Sequence, residues 1–188
     1  MIRTSRRRWM AAAGIACAAV LTPAAALAAP ANPAAPRAAA APACATSSLR
    51  VWLGIPGDSA GGTTAYQLEL SNISGRACTL FGFPGVSAVG LGDRQLGTPA
   101  ARDHADPTRL VTLGRGATAH AFLLITEPAF FPPAACHPAN AIGLRVFPPN
   151  TRTATVVSFS FRACARQGPV FLRVRTTVAG TGIPGFSS

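Results

Sequence analysis

From residue 49 onward, apolar and polar residues alternate with a period of two, the pattern of half-buried strands. Leu49, Val51, Leu53 and Ile55 alternate with Arg50, Trp52 and Gly54, and Tyr66, Leu68 and Leu70 alternate with Gln67, Glu69 and Ser71. Between them the run Pro56-Gly57-Asp58-Ser59-Ala60-Gly61-Gly62 is rich in turn formers, so the pair predicts an antiparallel hairpin with a long loop. A second hairpin is predicted from the stripes Ile142-Leu144-Val146 and Val157-Phe159-Phe161, joined across Pro148-Pro149-Asn150-Thr151. Further strands are expected over 86–91, 109–113, 117–125 and 170–178, with Gly82-Phe83-Pro84-Gly85 and Gly114-Arg115-Gly116 as turns. No segment combines 3.6-residue periodicity with capping signals, and no internal repeat is evident. The expectation is an all-β chain forming a single immunoglobulin-like antiparallel β-sandwich.

The start of the chain reads as an address rather than as structure. Arg3, Arg6, Arg7 and Arg8 precede an apolar run from Trp9 to Leu21, and Ala26-Leu27-Ala28 is a small-x-small cleavage pattern. Residues 1–28 are therefore expected to be a signal peptide cut after Ala28. Ser5-Arg6-Arg7-Arg8-Trp9-Met10 is twin-arginine-like, and an ordinary secretory signal with three arginines fits as well. Cys17 falls inside the apolar run, without the large aliphatic residue that a lipid-attachment site wants three positions earlier, and is read as part of the signal. Residues 29–43 are almost entirely Ala and Pro, a composition suited to a tether. The β-sandwich domain is expected over 44–188.

Removing the signal leaves Cys44, Cys78, Cys136 and Cys164. An even number of cysteines in an exported chain argues for disulfides, and the spacing contains no close pair of the kind that zinc sites use. Residues equidistant from a hairpin turn face each other. Cys44 and Cys78 are equidistant from residue 61, and Cys136 and Cys164 from residue 150, each in a predicted turn. Cys44–Cys78 and Cys136–Cys164 are thus the expected bridges, each closing a loop worth about 3–4 kcal/mol in the chain-entropy model.

All 17 basic residues of the 188-residue chain are arginine, against 6 acids, a net charge of +11. Four of those arginines belong to the signal, so the mature chain carries +7, dispersed rather than concentrated in a stripe. Nucleic acid is a poor ligand for such a distribution. The polar stripes of three strands mix arginine with aromatics: Arg50 and Trp52, Arg145 and Phe147, and Phe171 with Arg173 and Arg175. If those strands share a sheet, the stripes form a basic, aromatic face suited to anionic envelope polymers. Phe130 and Phe131, in a Pro-rich segment, are candidates for docking a protein partner or for a lid on the core. Asp103-His104-Ala105-Asp106 is the one place where an imidazole and two carboxylates adjoin, and it carries the alternative of an extracellular hydrolase. A polar loop with Asx turns is the commoner use of such a segment. The sequence nominates no catalytic residue, metal ligand or cofactor.

The run Asn72-Ile73-Ser74-Gly75-Arg76-Ala77-Cys78-Thr79-Leu80-Phe81-Gly82-Phe83-Pro84-Gly85-Val86 resembles the central signature of a secreted bacterial family, the domain of unknown function 4232. Cys44 at the start, the turn Leu113-Gly114-Arg115-Gly116-Ala117, Leu144-Arg145-Val146-Phe147-Pro148 after Cys136, and the late Cys164 fit the same pattern, so the resemblance spans 44 to about 178. It implies an exported β-domain, often behind a signal peptide or lipid anchor, and carries over no functional residues. Taken together, the expectation is a non-enzymatic module, secreted and in contact with the cell wall, with no transmembrane anchor in the mature chain. Its partners would be anionic envelope polymers or an extracellular protein.

Overall fold

The computed structural model describes residues 40–182, so the expected signal peptide and the tether up to residue 39 lie outside the described residues. In chain order the strands are β1 Leu49–Ala60, β2 Thr63–Asn72, β3 Cys78–Phe81, β4 Gly85–Val89, β5 Gln95–Leu96, β6 Ala101–Asp103, β7 Leu110–Leu113, β8 Thr118–Thr126, β9 Pro138–Phe147, β10 Thr155–Cys164, β11 Leu172–Arg175 and β12 Val178–Ala179. One short helix, α1 (Pro133–Cys136), leads into β9.

The strands make two layers. One is a sheet in the order β1-β2-β8-β11-β6, with β12 also paired to β8. The other is formed by the sheet β10-β9-β4-β5 and the pair β3-β7. Leu68, Leu123 and Val174 of the first layer meet Val86, Leu144, Val146 and Val157 of the second in one buried core. Leu70, two residues beyond Leu68 on the same face of β2, belongs instead to a second core with Leu49, Leu80, Val111, Leu113 and Ala119. Period-two alternation puts both leucines on the inner face, and the two halves of the facing layer receive one each. The architecture is the expected all-β sandwich; among the strand pairs described, β11 and β6 alone run parallel.

Both expected disulfides are present, Cys44–Cys78 and Cys136–Cys164. Neither joins two residues paired across its hairpin. Cys164 ends β10 opposite Pro138, and Cys136 lies in α1 just before it. Cys44 precedes β1 through a turn of 3-10 helix, and Cys78 opens β3 beyond the end of β2. The last residues of the expected tether are part of the domain: Ala43 bridges Thr79 in parallel, and the Thr79 amide donates to the Pro42 carbonyl.

Several boundaries differ from the expectation for local reasons. The long first loop is a strand as far as Ala60, closed by Gly61 and Gly62 at φ 55° and 73°. Two residues with positive φ make the tight turn whose twist suits a hairpin. Pro56 and its neighbours are absorbed as register shifts on an edge strand, where a missing amide hydrogen is tolerated. Ile142 is exposed while Leu144 and Val146 are buried, because a bulge in β10 between Ser158 and Phe161 interrupts the alternation opposite Ile142. The predicted last strand divides into β11 and β12 around Thr176 and Thr177, where the Thr177 amide leaves the ladder and donates to the Gly82 carbonyl.

Candidate functional site

Arg50, Trp52, Arg173 and Arg175 lie on strands of the larger sheet, whereas Arg145 and Phe147 lie on β9 in the opposite layer. The three stripes therefore do not make one face. Arg145 pairs with Asp93 at 2.7 Å. Arg175 reaches Asp103 at 3.1 Å and Asp106 at 3.8 Å. Trp52 is half-buried, with its indole N–H 3.3 Å from Ser71 Oγ. Arg50 and Arg173 are exposed, and β2 and β8 separate their strands. Phe171 is fully buried and belongs to the core rather than to an outer stripe. It stands one residue before β11, outside the strand's alternation.

Phe130 and Phe131 divide between the two roles considered for them. Phe131 packs against the core, while Phe130 is 62% exposed and lies across the backbone of Gly62, where an added Cβ would strike its ring. In the Asp103–Asp106 loop, both carboxylates face Arg175 and Asp103 Oδ1 also accepts the Ala105 amide, an Asx turn. The His104 ring leaves them and lies 4.8 Å from the ring of Phe83. Among the described residues no group of three or more His, Cys, Asp or Glu side chains gathers to hold a metal ion, and no helix is long and apolar enough to cross a membrane.

A different set of residues does converge. The end of β3, the turn into β4, the end of β9 and β6 border an open groove of about 510 Å³. Phe81, Phe83 and Phe147 supply its aromatic groups, and Arg102, Thr108 and Asn150 its polar ones. The turn Gly82-Phe83-Pro84-Gly85 presents Phe83, with Gly82 at φ 96° and its carbonyl held by the Thr177 amide. The Arg102 guanidinium sits 5.7 Å over the Phe83 ring, within cation–π range. Arg102 takes part in none of the three ion pairs among the described residues. Phe81 stands 48% exposed at the rim. Of these groups the sequence nominates Phe147 but not Phe81, Phe83 or Arg102. Phe83 was visible there only as a turn residue, and Arg102 belongs to a three-residue strand too short for any pattern.

A second polar cluster lies on the outer face of the larger sheet. Glu69 of β2 pairs in register with His120 of β8, and Gln67 is two residues away on the same face. All three are buried, Glu69 completely. Burial pushes the Glu69 carboxyl above the ordinary carboxylate range, opposed by the Gly182 amide and by His120. Burial, aided by the charge of Glu127, likewise raises the Tyr66 phenol.

A two-layer β-sandwich closed by two disulfides, with an open aromatic groove, is the class of protein these features define. The model of the family described as Domain of unknown function (DUF4232) matches residues 44–179, and the chain belongs to that family. No curated protein and no solved structure matches it.

Proposed function

We propose that this protein is a non-enzymatic, exported binding module of the cell envelope, and that its ligand is an anionic glycan held in the groove between Phe81, Phe83 and Phe147. The observation that carries this reading is Arg102 over Phe83. It places one guanidinium without an acidic partner among the described residues beside three aromatic rings, in an open groove. Aromatic faces take the apolar faces of sugars, and a guanidinium takes a carboxylate or phosphate through paired N–H donors. The other lining groups are hydroxyls and an amide, donors and acceptors suited to sugar hydroxyls. Export is supported by residues 1–28 of the sequence and by the two disulfides.

The test is co-sedimentation of the mature chain with purified cell-envelope fractions over a salt series. Binding should weaken steeply with salt, since exposed charges are screened. Arg102→Ala should weaken it about tenfold, the value of one charge-assisted hydrogen bond, and Phe83→Ala by a similar factor, with melting temperatures close to native. Absence of binding at low salt, or binding indifferent to both substitutions, would sink the reading.

A further inference from the structure

The cluster of Gln67, Glu69 and His120 touches the chain's own Gly180-Thr181-Gly182 through main-chain groups. Glu69 Oε1 accepts the Gly182 amide hydrogen at 3.3 Å, and Gln67 Nε2 donates to the Gly182 carbonyl at 2.5 Å. His120 Nδ1 lies 2.8 Å from the Gly180 carbonyl. A carbonyl only accepts, so Nδ1 carries the hydrogen. Three side chains from two neighbouring strands thus read the backbone of a Gly-x-Gly segment, in place of the strand-to-strand ladder that ends at β12.

The cluster also selects for glycine. A Cβ at position 182 would lie 2.6 Å from Gln67 Cγ and 2.8 Å from His120 Cδ2, and Gly180 adopts φ 87°. Two acceptors in the cluster remain unspent: Gln67 Oε1 and Glu69 Oε2 are buried without a hydrogen-bond partner. An unsatisfied buried acceptor is costly, so this segment fills the cluster without satisfying all of it. The three side chains lie within the family match and the Gly-x-Gly segment lies just past its end at residue 179.

We infer that Gln67, Glu69 and His120 form a receptor for the main chain of a glycine-containing peptide, occupied in cis by Gly180-Thr181-Gly182. A tethered occupant excludes a free peptide through its high effective concentration, so the receptor shows itself only when that occupant is displaced. Gly182→Ala in the full chain does so by the steric conflict described above, at the end of the domain and away from both cores.

The probe is the blocked peptide acetyl-Ala-Gly-Thr-Gly-Ile-amide, titrated and followed by NMR chemical shifts. The Gly182→Ala chain should bind it at least tenfold more tightly than the native chain does. A control peptide with alanine for the second glycine should bind at least tenfold more weakly, and Glu69→Ala added to Gly182→Ala should abolish binding. A Gly182→Ala chain that melts like the native one and binds the peptide no better overturns the inference. The native chain gives a check that needs no substitution: exchange of the Gly182 amide hydrogen at least tenfold slower than in the free peptide supports occupancy, and exchange at the free-peptide rate overturns it.

Discussion

At the scale of single residues, Asn72 and Glu69 show how much a polar side chain can hold. The Asn72 amide nitrogen shares its two hydrogens among the carbonyls of Arg76, Leu113 and Gly114, at 2.9, 3.0 and 3.1 Å. Its Oδ1 accepts both the amide and the hydroxyl of Ser74. Asn72 is the last residue of β2, and its side chain both caps the turn over Ser74 and ties β2 to the end of β7. Asn72→Ala should cost about 1–3 kcal/mol, because it leaves the buried Leu113 carbonyl without its side-chain donor, measurable as a lower midpoint in urea unfolding. Glu69 acts through its charge. Its folded pKa is raised above the unfolded value. The stability this carboxyl contributes is therefore full below the unfolded pKa and is lost as pH rises through the folded one. Glu69→Gln should raise the melting temperature at pH 7, with an advantage that shrinks toward zero as pH falls below about 4; an advantage independent of pH would contradict the assignment.

At the scale of elements, the hairpins are where sequence and structure agree most closely, and the agreement has a simple cause. Hairpin pairing is local, so counting outward from a turn finds opposed segments even when bulges shift the register by one or two residues. That is why the cysteine pairing follows from the positions of the turns, although neither bridge joins two residues paired in its ladder. The short β3, β5 and β6 are not legible in the sequence because two to four residues carry too little of a period. The segment before α1 shows the other limit. Two adjacent phenylalanines look alike in sequence, yet only Phe131 reaches the core. Phe131→Ser should destabilise the domain by about 2–4 kcal/mol, in the range of large-to-small core changes. Phe130→Ser should change stability by less than about 0.5 kcal/mol, as surface substitutions do. Thermal melts of the two variants decide between these roles.

At the scale of the whole molecule, one large sheet is covered by two smaller ones, and the two disulfides serve separate cores: Cys44–Cys78 the one around Leu70, and Cys136–Cys164 the one around Leu68. Each bridge should contribute about 3–4 kcal/mol, so full reduction should lower the melting temperature by more than about 10 °C; an unchanged curve would show that the cores hold without them. Alternation, turn residues and cysteine symmetry are written along the chain, and they determined by themselves the all-β class, the hairpins and the bridges, because each depends on neighbours in sequence. Which strands share a sheet depends on non-local pairing, and only the tertiary structure decided it. That pairing separated Arg145 and Phe147 from Arg50, Trp52, Arg173 and Arg175, and brought Phe81, Phe83 and Arg102 to one groove. It also laid Gly180 and Gly182 over Gln67, Glu69 and His120, a contact between residues more than a hundred positions apart along most of its length that no period-two pattern encodes.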